Sequence, residues 1–438
     1  MIKILENKEK CAELWIGQVQ SGKTSAILEY IRNNYSKYKI IIYLSATNNL
    51  LLDQSNRRIE SFIESFENNL KLVKYDESFS TNLTYYLLQN KTYLFSILKQ
   101  TTNLQKIIHG ITEVVTQPID ILIIDDESDY ASTNIATASE SEIFKLIKRI
   151  NQKNEFINTK FISVTATPFA NILTENVVEY EKLVILQPKP GYFGSEDFIK
   201  NDKYIFEGIN NKNENNNCEE IFKSLIVWIF STAIMLSENN VNKSEFLINI
   251  DSLKQKHNQI CKIVIQELEN LYKNIDNSSF FKDYYNIYKS LTKNNDEINI
   301  DKLKQIIKKN LFNTSIRIIN GENNETYRSG NDNFVIIIGG NIISRGFTFE
   351  NLITELILNS PLEQPSMDTM LQRARWFGYR EKIFKYMNVV MTKDIYNAYI
   401  EYNEILKSIN YCGDISELEN ILHRYELSLK NIKLSNKK

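Results

Sequence analysis

The sequence predicts an α/β protein of two lobes, each a mostly parallel sheet flanked by helices. Three observations carry that prediction. Short β-branched runs alternate with helix-period stretches between Ala12 and Pro168, the pattern of a parallel sheet with helices on both faces. A second alternation of the same kind resumes after Asn240. Between the two, the chain passes through proline-bearing and asparagine-rich stretches that read as a connection.

In the first lobe the strand candidates are AELWIG (12–17), YKIIIYLSAT (38–47), LKLVKY (70–75), KTYLFSIL (91–98), IDILIIDDE (119–127) and KFISVTATP (160–168). Each is short, apolar and bounded by polar or turn residues. From about Asn176 the character changes: QPKPGYFG holds two of the six prolines, and NNKNENNNCEE is polar and low in complexity. The apolar run Leu225–Leu236 is too short to span a bilayer and reads as a buried helix. SEFLINI, a helical stretch from Ser252 to about Phe312, and the runs SIRIING, NFVIIIGG, ITELILN and YMNVVMT make the second lobe. From Tyr396 the pattern is helical, with a lysine-tipped tail. The expected boundaries are a first lobe over 1–185, a connecting segment over 186–240, a second lobe over 241–395 with a helical insertion near 252–312, and C-terminal helices and basic tail over 396–438.

Composition narrows the classes. A net charge of −2 over 438 residues excludes a globally basic nucleic-acid binder and leaves room for a local basic groove. Cys11, Cys218, Cys261 and Cys412 form no C-x-x-C pair, and His109, His257 and His423 form no cluster with them. A structural zinc or a disulfide framework is therefore not expected, and a reducing cytoplasm is. The opening MIKILENKEK has no apolar signal core, and no membrane association is expected.

Residues 13–31, ELWIGQVQSGKTSAILEYI, hold the first chemical signal. Gly17, Gly22, Lys23 and Thr24 satisfy G-x-x-x-x-G-K-[ST] between a strand-like run and a helical pattern, the context of a phosphate-binding loop. Backbone N–H groups and the helix N-terminus would cradle the phosphates of ATP, with Gln20 and Ser21 in the same loop. Lys23 would reach the β- and γ-phosphates, and the Thr24 hydroxyl would hold Mg²⁺.

IDILIIDDESDYAS is an apolar strand ending in Asp125, Asp126, Glu127 and Asp129. Acids at the carboxyl end of a parallel strand face the crevice where ligands bind. Asp126 suits Mg²⁺, and Glu127 suits the general base that polarises an attacking water. Thr165 and Thr167 in SVTATPFAN are small hydroxyls at a strand end, able to couple that acidic site to a neighbouring surface. The second lobe carries Arg345 in GGNIISRGFTFENL, and Gln372, Arg373, Arg375 and Arg380 in MDTMLQRARWFGYR, read as an apolar helix with Trp376 and Tyr379. A guanidinium offered to the γ-phosphate stabilises transition-state charge.

The order P-loop, D-E-x-D, T-A-T, S-R-G and Q-R-x-R resembles that of the superfamily-two helicases and translocases. More narrowly, VQSGKT, IDDESD, TATPFAN, GGNIISRGFTFE and QRARWFGYR resemble the prokaryotic Z-one domain family, from about Trp15 to Met391. That family is named for an endonuclease and is linked to restriction and phage-defence loci. The resemblance implies two RecA-like P-loop NTPase lobes and an ATP-dependent DNA motor with Mg²⁺. It assigns Lys23 and Thr24 to nucleotide, Asp126 and Glu127 to Mg²⁺ and hydrolysis, and Thr165 and Thr167 to coupling. Gln372, Arg345 and the arginines of the last motif would face the nucleotide. The usual helicase spacing is Q-R-x-x-R-x-x-R, whereas these arginines fall at 373, 375 and 380; the spacing leaves the finger open, and Arg375 is favoured, with Arg380 second.

Three functions remain open at this stage: a DNA motor in a bacterial defence system, an ATP-gated switch that recruits a partner nuclease or other defence protein, and an intrinsic nuclease. The one D/E-x-K noticed, Glu6–Lys8, has no partner carboxylate in pattern, which counts against the last. DNA is expected as partner ahead of RNA. Candidate contacts are Asn48, Asn49, Arg57 and Arg58 on one lobe, and Ser252, Lys254 and His257 on the other.

Overall fold

The computed structural model describes residues 12–45, 49–66, 69–74, 79–129, 142–150, 156–173, 178–206, 218–238, 241–249, 254–293, 299–320, 323–328, 330–340, 343, 348–357 and 367–428. They divide into two compact units. The described residues up to Pro188 and from Ile405 onward form the first, together with 367 and 368; the rest of those between Lys189 and Glu404 form the second.

The first unit contains β1 (Ala12–Gly17), β2 (Ile40–Ser45), β3 (Leu70–Lys74), β4 (Thr92–Leu98), β5 (Ile119–Asp126), β6 (Ile157–Thr165) and β7 (Lys182–Leu186). These make one seven-stranded sheet in the order β3-β4-β2-β5-β6-β1-β7, with every pairing parallel. Strand side chains alternate faces. One face of β2 sends Ile40, Ile42 and Leu44 into a cluster with Leu104, Ile107 and Ile111 of helix Thr101–Val114. The other sends Ile41 and Tyr43 against Ile27, Leu28 and Ile31 of helix Lys23–Asn34. Both faces are thus covered, which is why the strands read as continuous apolar runs.

The second unit contains β8 (Tyr192–Phe193), β9 (Tyr204–Phe206), β10 (Ser244–Asn249), β11 (Thr314–Asn320), β12 (Asn323–Arg328), β13 (Asn331–Gly339), β14 (Leu352–Ile357), β15 (Gly378–Tyr379) and β16 (Asn388–Met391). Its seven-stranded sheet runs β12-β11-β13-β10-β14-β16-β9. All its pairings are parallel except β12 with β11. Both units are therefore α/β, the first built on a wholly parallel sheet and the second on a mostly parallel one.

Helix Cys218–Glu238 is long and apolar enough to cross a membrane by length and composition, yet 72% of its most apolar window is buried. It packs on β14 and on helices Lys254–Asn274, Ser278–Thr292 and Ile300–Asn310. Trp228 Nε1 donates to Ser244 Oγ at 2.8 Å, which ties this helix to β10. The buried-helix reading holds for it.

The arginine-rich segment departs from the expected single helix. Helix Met367–Arg373 ends at Arg373, and the chain turns into β15, which pairs antiparallel with β8. Gly378 has φ 133°, a backbone no helix can include. Arg375 and Arg380 thus lie beyond the helix, in and after the turn.

Candidate active site

β1 ends at Gly17 and the following helix starts at Lys23, so the phosphate-loop motif spans the turn between them. Gln20 and Gly22 adopt left-handed backbone, φ 57° and 92°. Gly22 occupies the N-cap and offers no capping side chain, and the first turn holds no acidic residue. No acidic side chain of the first turn therefore meets the helix's positive end. A Cβ on Gly17 would lie 2.8 Å from Lys23 Cγ, so only glycine lets Lys23 fold over the loop. Lys23 Nζ donates to the Gln18 carbonyl at 3.1 Å, and the Ser21 N–H donates to the same oxygen at 3.2 Å. Gln20, Lys23 and Thr24 are part-exposed, and Ser21 is buried.

β6 lies between β1 and β5, with Ile16 level with Thr165 and Asp126 level with Val164. The phosphate loop, the threonine pair and the acidic turn therefore leave the same edge of the sheet side by side. Asp126 and Glu127 are part-exposed there, whereas Asp125 and Asp129 are buried. Asp129 accepts hydrogen bonds from Thr165 Oγ1 at 2.8 Å and Thr167 Oγ1 at 3.0 Å. The Thr167 N–H donates to Thr165 Oγ1 at 2.9 Å. The structure thus joins the threonines to the fourth acid of the cluster.

Two further residues brace the acids. Tyr43, from β2, donates its hydroxyl to Asp126 Oδ2 at 2.5 Å. Burial first, then the charge of Asp126, pushes the Tyr43 hydroxyl well above its ordinary pKa, so it stays a donor. Lys99, just past β4, forms an ion pair with Asp125 Oδ1 at 2.7 Å, and the two side chains are 1% and 0% exposed. Its Nζ also donates to the carbonyls of Asp126 at 2.6 Å and Glu127 at 3.0 Å. The signal for this pair lay in the sequence as a lysine directly after an apolar strand and an extra acid ahead of the metal-suited one.

In the second unit Gln372, Arg373, Arg375 and Arg380 are all buried. Arg380 Nη2 donates to the carbonyls of Arg375 at 2.8 Å and Phe377 at 3.2 Å, its Nε to that of Trp376 at 3.2 Å, and its Nη1 to that of Phe349. Burial lowers its pKa to about 10. Glu355 on β14, fully buried, faces this group. Desolvation raises its pKa well above the carboxylate range, opposed first by Arg375 and then by Arg380. Arg345 lies outside the described residues.

Of the nucleic-acid candidates, Arg57 and Arg58 are exposed on helix Asn49–Glu64. His257 is 1% exposed and so offers no surface to a strand. Asn48 and Ser252 lie outside the described residues, as do the side chains of Asn49 and Lys254.

Among solved structures, the chain is similar to RecG bound to a three-way DNA junction, at 14% identity over 99% of this chain and TM-score 0.49; the match spans 46% of RecG. It is also similar to S. cerevisiae Dbp5 bound to RNA and ADP BeF3, at 14% identity over 96% of this chain and 90% of that one, TM-score 0.44. The Type ISP restriction-modification enzyme LlaBIII bound to DNA matches at 12% identity over 93% of this chain and 29% of that one, TM-score 0.46. Comparison with curated protein sequences finds no match. The Z1 domain family model matches residues 220–421, the stretch that holds β10 to β16 and the buried arginines. Over residues 220–421 the chain is thus similar to the Z1 domain family.

Proposed function

We propose that this protein is an ATP hydrolase stimulated by nucleic acid, DNA ahead of RNA, working as a helicase- or translocase-like motor in a bacterial restriction or phage-defence system. The observation that carries the reading is the adjacency of β1, β6 and β5, whose ends bring together the phosphate loop, the threonine pair and the acidic turn.

Gly17, Gln20, Ser21, Gly22 and Lys23 would bind the phosphates of ATP through the loop backbone and the lysine. The uncapped start of the helix and the space left by Gly17 fit such an anion. Mg²⁺ usually takes one or two protein oxygens together with waters and substrate phosphates; Thr24 and Asp126 would supply the protein oxygens. When bound, the ion neutralises charge on the phosphates. Glu127 accepts the proton of the attacking water. Asp129, Thr165 and Thr167 form the link by which the state of this edge reaches the rest of the unit. Arg375 is the arginine proposed for charge stabilisation in hydrolysis, with Arg380 second.

The test is binding of a non-hydrolysable ATP analogue by calorimetry, with Mg²⁺ and again with excess EDTA. Saturable binding that weakens on chelation supports the site. Absence of binding in both conditions removes nucleotide from the account.

A further inference from the structure

We propose that Lys99 is the positioning residue of the acidic turn: it holds the backbone of Asp126 and Glu127 in the conformation that presents the Glu127 carboxylate. The inference rests on the hydrolase reading above, and it assigns to a residue outside the recognised motifs the task of aiming the base.

The geometry is specific. β4 and β5 are separated in the sheet by β2, a span of about 9–10 Å at the usual strand spacing. Ile97, Leu44 and Asp125 lie level across the three strands. Lys99 sits two residues further along and reaches over the end of β2. There its ammonium meets Asp125 Oδ1 and the carbonyls of Asp126 and Glu127, at 2.7, 2.6 and 3.0 Å. Three acceptors match the three N–H donors of an ammonium.

Glu127 has φ 52°, a left-handed backbone that a residue with a side chain seldom adopts and that persists only where the surroundings over-determine it. The surroundings here are identifiable. Lys99 fixes the carbonyls on either side of the turn, the Glu127 N–H donates to Asp126 Oδ1 at 3.1 Å, and the Ser128 N–H donates to the Val164 carbonyl at 3.0 Å. Tyr43 fixes the Asp126 side chain, and Lys99 fixes the main chain beneath it.

Stability alone does not explain the pair. A fully buried ion pair holds a fold together little better than an apolar pair of the same volume. An apolar pair cannot, however, donate to the carbonyls of Asp126 and Glu127. The carbonyl contacts are what Lys99 adds.

The double variant Lys99→Met/Asp125→Val separates these roles, because it removes both charges together and avoids stranding either one. Three quantities are read: the melting temperature, kcat and KM for ATP, and amide hydrogen exchange at Glu127 and Ser128. Melting is expected near that of the wild type. The kcat is expected to fall about 10- to 100-fold, the scale of an ångström-level misplacement. KM for ATP should stay within about twofold, since the phosphate loop is untouched. Exchange at Glu127 and Ser128 should quicken while that of β1 is unchanged. Lys99→Gln/Asp125→Asn, uncharged and close in size, is the second variant. It keeps two N–H donors, and its kcat should lie between those of the wild type and the apolar pair. Wild-type kcat and wild-type exchange in the folded Lys99→Met/Asp125→Val variant overturn the proposal, leaving Lys99 as a mere counter-ion to Asp125; so does a Lys99→Gln/Asp125→Asn variant that slows as much as the apolar one. The exchange readout does not pass through catalysis. An inactive wild type would therefore sink the hydrolase reading, while quicker exchange at Glu127 would still uphold Lys99 as the brace and unchanged exchange would overturn it.

Discussion

Glu127→Gln is expected to bind ATP about as tightly as the wild type and to hydrolyse it about 10²- to 10⁴-fold more slowly, the usual contribution of a positioned general base. The carboxamide keeps the size of the side chain but cannot accept the water's proton. The turn itself is held through main-chain contacts from Lys99 to the carbonyls of Asp126 and Glu127 and from Ser128 to Val164, none of which uses the Glu127 carboxylate. The variant therefore isolates chemistry from folding. Single-turnover phosphate release beside equilibrium nucleotide binding measures both quantities. Turnover within a few-fold of the wild type would move the base to another residue.

Lys23→Ala is expected to lose nucleotide binding while keeping the fold. Each charged hydrogen bond from the ammonium to a phosphate oxygen is worth about 1.5–3 kcal/mol, so the loss of two weakens binding by several orders of magnitude. Lys23 is the first residue of its helix and part-exposed, where alanine is well tolerated. Within the loop its ammonium donates to the Gln18 carbonyl. Unfolding free energy should change by no more than about 0.5 kcal/mol, as for surface substitutions in general. Calorimetric titration and a thermal melt on the same preparation check both halves. Undiminished binding by a folded variant would show that the loop is an ordinary strand-to-helix turn.

Much of this arrangement is legible in the residues because the first sheet is wholly parallel and buried. Runs such as KIIIYLS and TYLFSIL have no charged residue in their interior, and they correspond to β2 and β4 within a residue or two. β7 and β9 do not stand out in the sequence because each is short, five and three residues, and lies at a sheet edge beside a polar connection. The arginine segment misled for a different reason. Trp376 and Tyr379 stand three apart, a helix-compatible spacing, but Gly378 at φ 133° breaks the helix in favour of β15.

The candidate site was legible where its chemistry is local. Gly17 to Thr24 lie in one loop, and Asp126 and Glu127 on one strand end. Tyr43, Lys99 and Glu355 were not legible, because their roles arise from strand order. Only the placing of β2 between β4 and β5 brings Tyr43 to Asp126 and Lys99 to Asp125. In the same way, only the packing of the second unit sets Glu355 among the charges of Arg373, Arg375 and Arg380. Periodicity identifies a strand but not its neighbour.

Whether this sheet edge hydrolyses ATP in response to nucleic acid is read from phosphate release from ATP and Mg²⁺, for the wild type and Lys23→Ala side by side, as single-stranded DNA, double-stranded DNA or RNA is titrated in. Release by the wild type is expected to rise to a plateau with DNA and to be lost in Lys23→Ala at every concentration. Release that ignores all three nucleic acids, or that proceeds equally in the folded Lys23→Ala protein, would contradict the proposed function.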